Sequence, residues 1–154
     1  MNEKHMTDSK RRLIFMNLLV NCIASALLST ALTTALPPII EDFGVSVSTF
    51  QSVQNMLADM EIHVQAARQA YLHAAELMDA GLPFTMEAAI AKTIGTDTGM
   101  QCAVDGVQVM GGYGYMKDYP MEKLMRDAKI LQIYEGTNQI QRSVVAGQLL
   151  KKYH

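Results

Sequence analysis

The chain has no tryptophan, four phenylalanines and six tyrosines, so a core built on large aromatic rings is excluded. Two cysteines, Cys22 and Cys102, cannot form a disulfide scaffold. Four prolines in 154 residues leave long stretches free to be helical. Charge of either sign is not in excess: 13 Lys+Arg against 15 Asp+Glu give a net −2, which excludes a nucleic-acid binder acting through bulk charge. With 49% hydrophobic residues the composition is not that of a disordered chain. The 12 methionines suggest an adaptable, helical core.

Charge is unevenly distributed. Residues 1–12 form a basic tail with four positive and two negative groups, and residues 13–40 carry none. A spanning helix needs roughly 20 apolar residues. Lys10, Arg11 and Arg12 precede the run, a charge pattern that keeps the N-terminus cytoplasmic, and Pro37-Pro38 closes it. Asn17, Asn21, Ser25, Ser29 and Thr33 recur every four residues, a polar stripe suited to contact with other helices. The expectation is a transmembrane helix, with a cleaved signal peptide and a buried soluble helix as open alternatives. The first of these has a shorter apolar stretch, about 7–15 residues.

Residues 41–49 read as a linker, and from Phe50 the pattern becomes that of soluble amphipathic helices. Phe50, Val53, Leu57, Met60, Val64, Ala67, Tyr71, Ala74 and Met78 form one stripe at alternating steps of three and four. Ser48 or Thr49 can cap it, and Gly81 and Pro83 stop it. Thr85 can cap a second helix whose apolar side uses Met86, Ala89, Ile90, Ile94, Met100, Ala103 and Val107. Its Gly95 and Gly99 imply close packing or a weak middle. Gly111-Gly112 opens a loop through Tyr119. Pro120 suits the first position of a third helix, buried along Leu124, Met125, Ala128 and Leu131. Gly136 breaks that helix. Thr137 can cap a last one carrying Ile140, Val144 and Leu149. There is no internal repeat. The fold class expected is all-α: an apolar transmembrane-type helix, then an antiparallel helical bundle over 50–154.

Glu135 is the candidate for chemistry. It stands in Ile133-Tyr134-Glu135-Gly136-Thr137, between a helix end and a glycine turn. An apolar pocket would make it a general base; without one it is a solvated carboxylate at a helix end. Gly111-Gly112-Tyr113-Gly114 does not fit a dinucleotide fingerprint and reads either as a turn or as a place where backbone meets a ligand. His5, His63, His73 and His154 lack metal-ligand spacing, so no metal site is expected. Cys102 reads as a small core residue.

Two resemblances follow from these stretches. LLSTALTTALPPIIEDFGVSVST, Leu27 to Thr49, resembles the first transmembrane helix and following loop of drug-exporting major facilitator transporters. FQSVQNMLADM, EAAIAKT and AVDGVQVMGGYGYMKDYPMEKLMRDAKILQIYEGTNQIQR resemble the C-terminal helical domain of acyl-CoA dehydrogenases, short-chain (butyryl-type) members above all, over residues 50–153. The second resemblance implies FAD-dependent α,β-dehydrogenation of acyl-CoA thioesters. It implies Glu135 as the base, Gly136 at the substrate, and Thr137, Asn138 and Gln139 at the flavin nucleotide. It implies Gln108, Val109, Met110, Gly111 and Gly112 facing FAD across a subunit interface, and Gln51 at another FAD contact. A homo-oligomer or a complementing dehydrogenase subunit is the partner it implies. The family's N-terminal helical domain, central β-domain and first bundle helix have no counterpart in this reading. The expectation is therefore a C-terminal dehydrogenase piece fused to a membrane-type helix and inactive alone. A transporter piece or a non-functional chimera is the alternative. An apolar stripe would be left exposed. If residues 13–36 fold back onto it the chain is cytoplasmic; if they span, it is membrane-associated.

Overall fold

The computed structural model describes residues 46–153. The basic tail, the apolar run at 13–40 and residues 41–45 of the linker lie outside the described residues, and the expected membrane span lies there with them. Among the described residues no helix is long and apolar enough to cross a membrane.

A short 3₁₀ turn, Val47–Thr49, leads into α1 (Gln51–Asp79), α2 (Thr85–Met110), the single helical turn α3 (Gly112–Tyr115), α4 (Met121–Leu131) and α5 (Asn138–Tyr153). Among these residues there are no strands, as expected for an all-α chain. α2 is the central element and packs against α1, α3, α4 and α5. Its small residues explain the position. Ala88, Ala91, Gly95, Thr98, Gly99, Cys102, Ala103 and Gly106 are all buried, so α2 is enclosed on more than the one side that its apolar pattern suggests. Gly95 and Gly99 thus mark close packing, which repays their helix-propensity cost of roughly 1 kcal/mol each. Ile94, by contrast, points outward.

From Val53 onward the α1 stripe lies where the period places it, with Met60, Val64, Ala67 and Ala74 buried, but Phe50, its expected first member, is exposed. Met60 and Val64 close on Cys102, with Leu57 and Val109 beside them. A second cluster joins Ala103 and Met110 to Met121 and Ala128. Met121 is 1% exposed, and full burial of such a side chain stabilises by roughly 1.5–3 kcal/mol.

Helix boundaries differ from expectation in five places, the first being that α4 already ends at Leu131, well before Gly136. Phe50, not Ser48 or Thr49, is the N-cap of α1, because Ser46 has already started the 3₁₀ turn by accepting from Ser48 N. Phe84, not Thr85, is the N-cap of α2, and neither phenylalanine supplies a capping side chain. Pro120 is the N-cap of α4 rather than its first residue. The expected loop after Gly111 contains α3, where Gly114 lies against α2: a Cβ there would be 2.7 Å from Val107 O.

The largest departure is in α5. Of the apolar residues read along it, Ile140 and Leu149 are exposed and Val144 is half-buried, and the buried residues are Asn138 and Gln141. This helix meets the core through polar side chains. Ile140, Leu149, Leu150 and Tyr153 on it are exposed.

Candidate functional site

Tyr134 to Asn138 connects α4 to α5, and its backbone is unusual. Glu135 has φ +53 and is the one non-glycine residue with positive φ among the described residues; Gly136 follows at φ +90. A left-handed residue with a Cβ costs roughly 1–2 kcal/mol, so its surroundings must impose the conformation. Two consecutive left-handed residues also turn their carbonyls away from any helical ladder.

Side chains bind those carbonyls. Gln141 Nε2 donates to Glu135 O at 3.3 Å. Lys92 Nζ, from the middle of α2, donates to Gly136 O at 2.8 Å. The same ammonium donates to Asn138 Oδ1 at 2.6 Å. Asn138 Nδ2 lies 2.8 Å from Thr96 Oγ1 and 2.6 Å from Asp97 Oδ1. Gln132 Nε2 also donates to Asp97 Oδ1, and Arg142 Nη2 pairs with Asp97 Oδ2 at 2.8 Å. On the backbone, Asn138 N reaches Gln132 O at 3.0 Å across the turn. Thr137 Oγ1 accepts from Ile140 N at 3.3 Å, the cap expected of it.

Lys92 is 3% exposed, and burial lowers its pKa from the ordinary lysine value, with the Asp97 charge opposing. Sequence reading missed it. In EAAIAKT it looks like any helix lysine, and its partners stand 44 and 46 residues away. The same burial, with Glu135 next in line, raises the Tyr134 hydroxyl.

The expected site residues fall into two groups. Glu135, Gly136, Thr137, Asn138 and Gln139 share the α4–α5 turn. The Glu135 side chain is exposed, and so is Gln139. Asn138 is buried, with both ends of its amide engaged by α2, so only its neighbours face outward. A polar cavity of about 420 Å³ beside the turn is lined by Asp97, Lys129, Gln132, Ile133, Asn138, Gln139 and Arg142.

The second group is at the C-terminal end of α2. Gln108 is exposed, Val109 half-buried and Met110 buried. Gly111, at φ +58, and Gly112 present bare backbone, with nothing within 4 Å of where a Cβ would stand. Val109 to Tyr113, with Val47 and Met116, line an apolar cavity of about 430 Å³. A flat aromatic group could lie against such a glycine edge without steric hindrance. Gln51, at the start of α1, is exposed and belongs to neither lining. Among the described residues no group of His, Cys, Asp or Glu could hold a metal ion. His63 and His73 are exposed, and Cys102 is buried in the core.

Comparison with known proteins gives consistent results. The family described as acyl-CoA dehydrogenase, C-terminal domain, matches residues 10–150. An acyl-CoA dehydrogenase of Bacillus subtilis is 49% identical over 108 residues, 70% of this chain and 28% of that protein. The solved butyryl-CoA dehydrogenase of Megasphaera elsdenii matches at 42% identity and a TM-score of 0.80, covering 90% of this chain and 36% of that one. An FAD complex of PigA matches at 26% identity and a TM-score of 0.77, covering 86% of this chain and 34% of that one. The chain thus spans less than a third of the Bacillus protein's length. The family match begins at residue 10 and takes in the apolar run, so it extends beyond the Phe50–Tyr153 stretch that carried the resemblance. The resemblance of Leu27–Thr49 to a transporter finds no support in these matches. With nine-tenths of its length matched by one family, the chain belongs to the acyl-CoA dehydrogenases through their C-terminal helical domain.

Proposed function

We propose that this chain forms the C-terminal helical wall of an FAD-dependent acyl-CoA dehydrogenase and contributes its catalytic base, Glu135. The observation behind the reading is the left-handed Glu135-Gly136 pair, whose two carbonyls are bound by side chains rather than by a helix. An exposed carboxylate on a pinned backbone can be presented to a substrate in one orientation, which proton abstraction requires.

The Glu135 carboxylate takes the α-proton of an acyl-CoA thioester. The C–H electron pair forms the α,β double bond as a hydride departs from the β-carbon. Bound FAD supplies the acceptor for that hydride. The glycine edge and apolar lining at Val109–Tyr113 fit one face of that group, and Gln139 faces outward beside the base, with Thr137 half-buried next to it. Chain-length preference is proposed to be short, from the likeness to the butyryl-CoA enzyme. The remaining walls of a dry pocket come from polypeptide matching the rest of the relatives' length, in a homo-oligomer or a complementing subunit.

A domain exchange tests this. Residues 50–153 replace their counterpart in the Megasphaera enzyme, and flavin bleaching on addition of butyryl-CoA is followed. Bleaching is expected, and Glu135→Gln should slow it at least about 100-fold while the flavin stays bound. Bleaching within twofold of the unsubstituted exchange would remove Glu135 from the role of base.

A further inference from the structure

A lysine ammonium buried to 3% in the middle of α2 calls for explanation, because burying a charge is costly unless it is paired and hydrogen-bonded. Among the described residues no carboxylate lies within hydrogen-bond distance of Lys92 Nζ; both its acceptors there are neutral oxygens, Gly136 O and Asn138 Oδ1. Both belong to the turn that carries Glu135. Simple stabilisation of α2 would not require this choice of partners: an apolar side chain of similar volume would fill the same space at lower desolvation cost.

We propose that Lys92 is a positioning residue for Glu135, acting through the main chain by clamping Gly136 O and the Asn138 amide to α2. The clamp has a second jaw. Gln141 Nε2 holds Glu135 O from the α5 side and lies 2.7 Å from where a Gly136 Cβ would be. With the Glu135 carbonyl held from α5 and the Gly136 carbonyl from α2, the two peptide planes that follow Glu135 are both held. This restrains the backbone around the Glu135 Cα, and with it the direction in which the side chain leaves. Thr96 and Asp97 extend the clamp by engaging the far end of the Asn138 amide, so Asn138 cannot turn its oxygen away from the ammonium. The inference deepens the proposed role of Glu135 and rests on it for its functional meaning, while the clamp itself is testable without activity.

The test uses the full chain. Lys92→Met is compared with Lys92→Arg, which keeps charge and donors, by hydrogen–deuterium exchange and by the backbone chemical shifts of Glu135, which report its left-handed φ. In Lys92→Met, amides of 134–138 are expected to exchange at least tenfold faster, with α1 amides changed less than twofold, and the Glu135 shifts should move toward averaged values. Lys92→Arg should recover much of both. Unchanged exchange at 134–138, or equal acceleration in α1 and the turn, would overturn the proposal. Should Lys92→Met not fold, the wild-type side chain decides the matter. A lysine ammonium resonance visible at neutral pH through slow proton exchange, with contacts to Gly136 and Asn138, is expected, and its absence overturns the clamp. The two readings fail separately. A clamp intact in exchange, together with a Glu135→Gln exchange enzyme that still bleaches, removes the base and leaves the clamp. Loss of the clamp with Glu135→Gln inactive leaves the base.

Discussion

Gly81 and Gly136 both take positive φ in turns between helices, the first between α1 and α2 and the second between α4 and α5, and the two turns are held in opposite ways. At Gly81, φ +69, the end of α1 closes itself: Leu82 N bonds Leu77 O at 2.9 Å and Gly81 N bonds Met78 O at 3.0 Å. This is a Schellman ending, made of backbone within six residues, and nothing approaches within 4 Å of where a Cβ would be. At Gly136 one backbone bond, Asn138 N to Gln132 O, spans the turn, but the carbonyls of Glu135 and Gly136 inside it depend on side chains, Gln141 from the next helix and Lys92, 44 residues earlier. A turn closed by its own backbone only connects helices. A turn closed by buried side chains from two other elements has a defined orientation relative to them, and that is what a reacting carboxylate requires.

The strongest test of this contrast is Asn138→Ala. It removes an acceptor from the Lys92 ammonium and a partner from both Thr96 and Asp97, leaving buried polar groups short of bonds. A loss of about 3 kcal/mol in urea unfolding is expected. No single side-chain truncation within Leu77–Leu82 should approach that, because backbone groups close that end. A loss under about 1 kcal/mol would mean that the α4–α5 turn is held as locally as the other.

Next comes the pair Gly136→Ala and Gly81→Ala. Both impose a Cβ on a left-handed backbone, for roughly 1–2 kcal/mol each. Only Gly136 adds a 2.7 Å approach to Gln141 Nε2, and relieving it displaces the donor that holds Glu135 O. Gly136→Ala should therefore cost about 1 kcal/mol more than Gly81→Ala and should accelerate amide exchange at 134–138. Equal costs would dissolve the distinction between the two turns.

Much of the connector side was legible in the sequence and little of the site side was, for one physical reason. Periodicity and punctuation are local. The nine-residue stripe of α1, the stop at Gly81 and the Thr137 cap involve neighbours within a few residues. The Lys92 clamp joins atoms more than forty residues apart, and a helix lysine carries no local mark of burial. The polar inner face of α5 was misread for the same reason. Ile140 and Leu149 are among the apolar residues there, yet Asn138 and Gln141 are the buried ones: Asn138 meets the polar groups of Lys92, Thr96 and Asp97 on α2, and Gln141 turns back to Glu135 O. The resemblance to acyl-CoA dehydrogenases marked Glu135, but neither it nor the spacing indicated how that residue is held.

The two sides should also differ in their response to alkali. Cys102 packs with Met60 and Val64 between α1 and α2, and burial, reinforced by Asp105, pushes its thiol up to about 11. The folded state therefore keeps a proton that the unfolded chain releases near pH 9. Stability from this group is complete below pH 9 and declines as pH rises toward 11, by about 3 kcal/mol in all. Urea midpoints at pH 8, 9.5 and 11 should show that decline reduced in Cys102→Ala. Exchange at 134–138, governed by the polar network, should not follow the Cys102 substitution.

The smallest effect expected sharpens the contrast most. Arg142 reaches Asp97 Oδ2 at 2.8 Å, but more than half of the arginine side chain is in solvent. Exposed pairs contribute roughly 0–1 kcal/mol and weaken with salt. Asp97 retains Asn138 and Gln132 when the arginine is lost. Arg142→Ala should therefore cost about 0.5 kcal/mol, a difference that disappears in high salt, with amide exchange at 134–138 unchanged. A cost near that of Asn138→Ala would mean that the turn is anchored from its surface rim. The buried ammonium would then be ballast in α2, and the orientation of Glu135 would depend on ionic strength. A small, salt-sensitive cost places the anchor in the interior, where solvent does not compete for Gly136 O and the Asn138 amide.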